Sequence, residues 1–316
     1  MGPSWNVPGL QNSVLQLLMA VIPKTTSSSS PLNAYDGRTV CLTTRHGKQR
    51  ALALPFQRGL RVQLQLCEQD TDQLGTFSGE IPRLGDAAAT CRAKVLLGMQ
   101  VTGLPLGLAS EASFGPHPAM PLLAVGQELL LFLDQERDLC VLEQRLEWRT
   151  NYSQQLLAAD QQPDAWLRQV GFPSHAVIAR PATWNAELRP ELVFKGLCNQ
   201  VALRDALARC RAADPAGSVW LETDMRAHCN PTRMRSIRRL GLALVRRLQT
   251  ACPACGSPGW GLLDTLPGLP CGDCGTATTL TLSEIWGCPQ CGASRDQPRR
   301  DGRLHADPGQ CPWCNP

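Results

Sequence analysis

The stretch GRTVCLTTRHGKQRALALPFQRGLRVQLQL, residues 37–66, reads as a strand, a polar loop, a helix and a second strand. Residues 37–43 form the first strand, residues 51–60 the helix, and the alternating residues 62–66 the second strand. Two strands joined through a helix are typical of parallel pairing in an α/β fold. The stretch therefore predicts an α/β domain in which the loops that leave both strands lie at one edge of the sheet.

The loop between this strand and helix, residues 44–50, is rich in hydrogen-bond donors. A donor-rich loop before a helix is a common phosphate-binding arrangement, because the first N–H groups of a helix have no partner within it. An ordinary exposed basic turn would have the same composition. The candidate substrate-binding residues of this loop are Thr44, Arg45, His46 and Lys48.

The next stretch, residues 70–118, begins with an acidic loop and continues through a helix over residues 86–101. A strand over residues 104–109 then ends at Ser110 and Glu111. Clustered carboxylates suit Mg²⁺ or Mn²⁺ acting on phosphate oxygens, and two solvated surface loops are the alternative interpretation. The candidate catalytic residues are Asp70, Asp72, Glu80, Glu111 and His117, and Lys94 is a candidate substrate contact.

The middle of the chain predicts further strands over residues 128–134, 139–146 and 175–180, and a helical segment over 151–171 with a break at Pro163. A short apolar strand over residues 218–221 is followed by two acids and then by Arg226 and His228, which are candidate catalytic residues. Asn230 is a good helix N-cap and Pro231 suits the first helical position. Asn230 and Arg233 are candidate substrate contacts, although a solvated amphipathic helix explains the arginines further along.

Four Cys-x-x-Cys pairs lie in residues 251–316, with spacings typical of zinc ribbons. Two such pairs supply the four thiolates of a closed, structural zinc site. Sequential pairing is the simplest arrangement, and alternating pairing, first with third and second with fourth, stays open. The predicted ligands of two zinc ions are Cys252, Cys255, Cys271, Cys274, Cys288, Cys291, Cys311 and Cys314.

Composition limits the class of protein. The hydrophobic fraction of 43% and the charged fraction of 18% suit a globular protein with a core. The net charge of +4 does not indicate a nucleic-acid binder, and the acidic residues of the cysteine-rich end outnumber its arginines, which argues against nucleic acid further. The apolar run 14–22 is too short to span a membrane and lacks a basic start, so we expect a cytoplasmic protein without a membrane contact.

Three segments are predicted. Residues 1–34 form an N-terminal extension with a serine-rich linker, residues 35–250 an α/β domain, and residues 251–316 a zinc-binding domain with two four-cysteine sites. The tryptophans of the last segment, at positions 260, 286 and 313, are expected to form a small core or a contact face.

Across residues 35–316 the chain resembles a bacterial family known as a domain of unknown function with a cysteine-rich end. The matching residues are Thr-Arg-His-Gly-Lys (44–48), Asp-Thr-Asp-Gln-Leu-Gly-Thr-Phe-Ser-Gly-Glu (70–80), Ala-Ser-Glu-Ala-Ser-Phe-Gly-Pro-His-Pro (109–118), Glu-Thr-Asp-Met-Arg-Ala-His (222–228), Asn-Pro-Thr-Arg-Met (230–234) and the cysteine pairs.

The order and spacing of these motifs are also similar to the inosine/xanthosine triphosphate pyrophosphatase family. Its first strand ends in a Thr-x-Asn-x-x-Lys loop, which Thr44, His46 and Lys48 partly reproduce. The resemblance implies a mixed sheet with flanking helices, Mg²⁺ held where this chain has Glu111, and a base contact near Asn230 and Arg233.

The first functional hypothesis is a Mg²⁺-dependent hydrolase of nucleotide-like phosphoanhydrides, in which Lys48 holds phosphates and the acids hold the metal. The second is a non-enzymatic adaptor that binds a nucleotide or anion in the α/β body and a protein partner through the zinc module. The third is a nucleic-acid binder that uses the arginine-rich helix after Pro231, which predicts a steep salt dependence of binding.

Overall fold

The computed structural model describes residues 34–69, 85–117, 120–184 and 190–316. Residues 31–316 belong to one compact unit. The predicted N-terminal linker and the acidic residues Asp70, Asp72 and Glu80 lie outside the described residues. No helix in the described part of the chain is both long and apolar enough to cross a membrane.

A mixed five-stranded sheet forms the centre of the fold, as the sequence predicts. Its strands are β1 (Thr39–Thr43), β2 (Gln63–Cys67), β3 (Leu106–His117), β4 (Met120–Asp134) and β5 (Leu139–Glu147). Their order is β2-β1-β3-β4-β5, in which β1 is parallel to β2 and β3, whereas β4 is antiparallel to both of its neighbours, β3 and β5.

Three helices cover the two faces of this sheet. Helix α1 (Gln49–Leu60) and helix α5 (Pro231–Gln249) pack on one face, where Leu42, Leu108 and Phe132 meet Phe56 in the main core. Helix α2 (Ala87–Thr102) packs on the other face through residues such as Val95. Because side chains alternate along a strand, successive residues of β3 and β4 reach opposite helices.

A second, antiparallel sheet is built from β6 (Gln154–Leu157), β7 (Val177–Pro181), β8 (Phe194–Leu197) and β9 (Val219–Thr223), in the order β6-β9-β7-β8. Helices α3 (Asp164–Val170) and α4 (Gln200–Ala213) pack on one of its faces. The cysteine-rich end adds a three-stranded sheet of β10 (Gly261–Pro267), β11 (Thr281–Gly287) and β12 (Ser294–Pro298).

Two expectations are wrong. Residues 151–171 are not one helical segment, because residues 154–157 pair with β9 as strand β6 and the helix begins only at Asp164, after Pro163. Glu111 does not lie at a strand end, because β3 continues to His117 through its antiparallel pairing with β4. The buried charge of Glu111 is compatible with a strand interior because Lys94 neutralises it.

Candidate functional site

Two loops that are far apart in sequence meet beyond the end of β1. The first, residues 44–48, connects β1 to α1, and the second, residues 224–230, connects β9 to α5. The rings of His46 and His228 lie with their centroids 5.2 Å apart. Gly47 lies against His228 in this loop and has φ +66°, a conformation that glycine adopts without strain. The two loops thus form one surface.

Local hydrogen bonds fix the first loop. The backbone N–H of Thr44 donates to the carbonyl oxygen of Cys67 at 3.2 Å, which ties the loop to the end of the parallel strand β2. The hydroxyl of Thr44 accepts from the backbone N–H of His46 at 3.3 Å. The loop then enters α1 after Lys48, and the backbone N–H groups of Arg50 and Ala51 donate to the carbonyl oxygens of Gly47 and Lys48.

Lys48 is buried, and its side chain lies next to β3, just beyond the point where β1 ends. Its Nζ donates to the carbonyl oxygen of Ser110 at 3.0 Å, one residue beyond the last paired position of β1 on β3. Burial, together with the charge of Arg233 and against the opposing effect of Glu111, lowers the pKa of Lys48 from 10.5 to about 8. The Ser110 hydroxyl is itself buried and meets no hydrogen-bond partner among the described residues.

Two buried ion pairs lie on opposite faces of the β3–β4 ladder, next to Lys48. On the α2 face, Nζ of Lys94 lies 2.5 Å from Oε2 of Glu111. On the α5 face, Nε of Arg233 lies 2.6 Å from Oε1 of Glu128, and both side chains are almost fully buried. Buried charges need such partners, because an unpaired charge in the interior is costly.

Helix α5 begins inside this site. Asn230 is its N-cap and accepts from the backbone N–H of Arg233 at 3.0 Å, with Pro231 in the first turn, as the sequence predicts. The side-chain amide of Asn230 donates to Asn151 at 2.8 Å, and the Arg233 guanidinium also donates to the carbonyl oxygen of Met225. Both residues are therefore held from several sides.

Asp224 holds Arg226 in a fixed orientation. Nη2 of Arg226 lies 2.6 Å from Oδ2 of the buried Asp224, whose two oxygens also accept from the backbone N–H groups of Arg226 and Gly196. Burial alone would raise the pKa of Asp224, but the hydrogen bonds from Arg226 outweigh it and hold that pKa below its usual value. The guanidinium consequently remains paired at neutral pH.

Positive charges surround His46 and His228 where the two loops meet. Burial lowers the pKa of His46 to about 3, and the charge of Lys48 contributes to this. Burial, followed by the charge of Arg226, also lowers the pKa of His228. Both imidazoles are therefore neutral at pH 7, so each presents one N–H donor and one acceptor beside the positive charges.

The structure brings together most of the residues singled out in the sequence. Those that lie in or against the two loops are Thr44, His46, Lys48, Lys94, Glu111, Arg226, His228, Asn230 and Arg233. Arg45 has an exposed side chain. His117 lies at the far end of β3, about 20 Å along the strand from Glu111, where it stacks on Trp148 with centroids 4.9 Å apart.

Sequence reasoning missed Glu128, the partner of Arg233. Its signal was present, because a carboxylate at the start of the apolar run that became β4 requires a buried cation. It also left Asp224 out of the site, although this residue positions Arg226. Within the described ranges, His, Cys, Asp and Glu side chains converge closely enough to hold a metal ion at two places, and both consist of cysteines.

The cysteine pairs alternate: the first joins the third, and the second joins the fourth. The two groups are Cys252, Cys255, Cys288 and Cys291, and Cys271, Cys274, Cys311 and Cys314. Within each group the sulfur atoms lie within 4.8 Å of one another, and the hydrogen-bonded pairs lie 3.6 to 3.8 Å apart. A tetrahedron with Zn–S bonds of about 2.3 Å has S···S edges of about 3.8 Å, so the groups fit a structural zinc ion.

The same turn repeats at the cysteine pairs. The N–H of Gly256 donates to the carbonyl oxygen of Cys252, and Gly275 and Gly292 make the equivalent bond at the next two pairs. All three glycines have φ near +72°, a conformation that suits glycine. At the fourth pair Asn315 makes the bond instead, so the sequence marks three of the four turns by glycine.

The first cysteine group packs against the body of the protein. Trp260 is buried beside Cys252 and Cys288, and Trp286 packs against the same cluster, which confirms a small tryptophan-containing core, whereas Trp313 is exposed. Arg247 of α5 donates to the carbonyl oxygens of Gly259 at 3.1 Å and of Leu142 at 3.0 Å. The helix that begins at the candidate site therefore ends in contact with the cysteine-rich module.

Comparison with curated proteins gave no match. Residues 94–316 match the family described as a domain of unknown function, DUF6671. The matched part includes both buried ion pairs, Lys94–Glu111 and Arg233–Glu128, and all four cysteine pairs. Since this match covers more than two thirds of the sequence, the chain belongs to the DUF6671 family.

Proposed function

We propose that the chain binds a phosphorylated, nucleotide-like small molecule where the 44–48 and 224–230 loops meet, and that it hydrolyses a phosphoanhydride bond of that molecule. The observation that carries the proposal is the convergence of Lys48, Arg226 and the neutral His46 and His228 from distant parts of the chain. Fixed cations and N–H donors in a partly buried site are the groups that bind phosphate oxygens.

Each residue has a role that follows from its contacts. Lys48 contacts phosphate oxygens, and Arg226, held in a fixed orientation by Asp224, supplies a second cation. His46 and His228 donate hydrogen bonds and can accept a proton, because both are neutral. Arg233 acts as a positioning residue, since Glu128 holds it and its charge lowers the pKa of Lys48.

The described carboxylates do not fit a Mg²⁺ site, because Lys94 already pairs with Glu111 and Arg233 with Glu128. Mg²⁺ or Mn²⁺ dependence therefore stays a prediction that rests on Asp70, Asp72 and Glu80. For the two cysteine groups we propose zinc in a structural role, because four thiolates leave no open coordination position.

Binding is tested with inorganic tripolyphosphate by titration calorimetry on the zinc-loaded protein. Lys48→Met should raise the dissociation constant at least about tenfold, because a charged donor is lost. Arg238→Met is the matched control, because Arg238 is an exposed cation on the outer side of α5, and it should change nothing. Equal affinities of wild type and Lys48→Met would refute the site.

Hydrolysis is tested with nucleoside triphosphates, and pyrophosphate and phosphate are measured separately, with and without added Mg²⁺. Excess metal is removed by gel filtration, because a chelator would also remove the metal ions held by the two cysteine groups. Release that Lys48→Met abolishes supports the hydrolase. Binding without release supports the alternative, an anion-binding adaptor, which the neutralised Glu111 and Glu128 favour.

A further inference from the structure

The second sheet has one face that helices cover and one that they do not cover in the described structure. Helices α3 and α4 pack against the face that carries Val177, Ala179 and Leu221. By alternation, Arg180 and Glu222 project from the opposite face. Because Glu222 is two residues before Asp224, this second face is adjacent to the 224–230 loop of the candidate phosphate site.

Arg180 lies between two tryptophans on this face. Its guanidinium carbon is 5.4 Å from the ring centroid of Trp184 and 5.7 Å from that of Trp220, and its Nε donates to Glu222 at 3.0 Å. The indole nitrogen of Trp220 is buried, and the described residues provide no hydrogen-bond acceptor for it. The surface thus combines fixed π-systems with a guanidinium donor and a carboxylate acceptor.

Two aromatic rings, those of Tyr152 and Phe114, connect the surroundings of Glu222 with Arg233 of the candidate site. Tyr152 precedes Ser153, whose carbonyl oxygen accepts from the backbone N–H of Thr223, the residue after Glu222, at 3.0 Å. Tyr152 stacks on Phe114 with centroids 6.3 Å apart, and the guanidinium of Arg233 lies 5.3 Å from the Phe114 ring. Glu222 and Arg226 are four residues apart, so their backbones are separated by roughly 14 Å at most, a span that a sugar and phosphate chain can bridge.

We propose that the face formed by Arg180, Trp184, Trp220 and Glu222 binds the heterocyclic base of the nucleotide whose phosphates bind at Lys48 and Arg226. This inference rests on the proposed function and assigns the base-recognition part of the same site. The aromatic rings offer stacking surfaces, because every nucleobase has a π-face. The guanidinium donates to a ring carbonyl or ring nitrogen, and the carboxylate accepts from an exocyclic amine or ring N–H.

The test compares guanosine and adenosine triphosphates with inorganic tripolyphosphate, which has the phosphates and no base. In titration calorimetry, Trp184→Ala should raise the dissociation constant of a nucleotide about tenfold or more and leave that of tripolyphosphate unchanged. Trp313→Ala, which removes a tryptophan that is 76% exposed at the cysteine-rich end, should alter neither value. Trp184→Phe retains a ring and should recover most of the nucleotide affinity, which separates stacking from a folding defect.

The outcomes separate the two proposals. If tripolyphosphate and the nucleotides bind wild-type protein equally well, or if Trp184→Ala weakens both alike, the base site is refuted and the phosphate site stands. If tripolyphosphate does not bind, the phosphate site is refuted, and quenching of tryptophan fluorescence by guanosine or adenosine decides the base site alone. Quenching that Trp184→Ala removes supports it, and no quenching refutes it.

Discussion

Replacing Lys48 by methionine should change how stability depends on pH, in a direction that the burial of its amine dictates. Burial lowers the pKa of Lys48 from 10.5 to about 8, which corresponds to about 3 kcal/mol of preference for the neutral amine in the folded protein. Below pH 8 the amine is charged in both the folded and the unfolded protein, so the folded state carries this cost in full.

The sign of the effect follows from proton binding. Between pH 8 and 10.5 the folded protein has released this proton while the unfolded chain still holds it, so unfolding takes up a proton and stability rises with pH. Above this window both forms are neutral and the cost is gone. Wild type should therefore gain about 2–3 kcal/mol relative to Lys48→Met when the pH is raised from about 7 to about 10.5.

The assay is urea unfolding of both proteins at several pH values, followed by tryptophan fluorescence. Other groups titrate in both proteins, so the difference between the two curves isolates Lys48. At neutral pH the variant also leaves the buried carbonyl of Ser110 without its donor, at a cost of about 1–3 kcal/mol. This cost offsets much of the stability that is gained by removing the buried charge. Parallel pH profiles, or a free energy of unfolding of wild type that falls relative to that of Lys48→Met as the pH rises, would show that the amine is not buried as described.

Three further predictions concern the fold and the metal groups. The double variant Cys252→Ser with Cys291→Ser should retain one zinc ion per chain by atomic absorption, because alternating pairing places both residues in one group, whereas sequential pairing would leave none. Gly98→Ala should lower the free energy of unfolding by about 1–3 kcal/mol in urea titrations, since its Cβ would lie 1.9 Å from Oγ1 of Thr43, and an unchanged value would contradict this packing of α2 on β1. Asn230→Ala should cost about 1–2 kcal/mol by thermal unfolding, because it removes the N-cap of α5, and no loss would mean that the cap is dispensable.

Local patterns in the sequence predict much of the fold correctly. The strand, loop, helix and strand of residues 37–66 appear as β1, α1 and β2 with parallel pairing, because alternation and helical periodicity are local properties. Asn230 and Pro231 mark the start of α5 for the same reason. Residues 151–171 were misassigned because strand β6 exists only through its pairing with β9, a partner more than sixty residues away.

The candidate site was only partly predictable. The sequence identifies the loop containing Lys48 and the stretch containing His228 separately, and their contact depends on how two sheets are arranged. Glu111 was expected at a loop, because a carboxylate inside a strand is unfavourable until its partner Lys94 is known. The pairing of the cysteines was open for the same physical reason, because spacing defines each turn and tertiary structure defines which turns share an ion.

The alternating cysteine groups also set an order of events during synthesis. With sequential pairing, a growing chain could complete its first metal site as soon as Cys274 had left the ribosome. With the observed pairing, the first site waits for Cys291 and the second for Cys314. A chain that stops anywhere before Cys291 has no complete site, so the metal content of a truncated product reports how far translation proceeded.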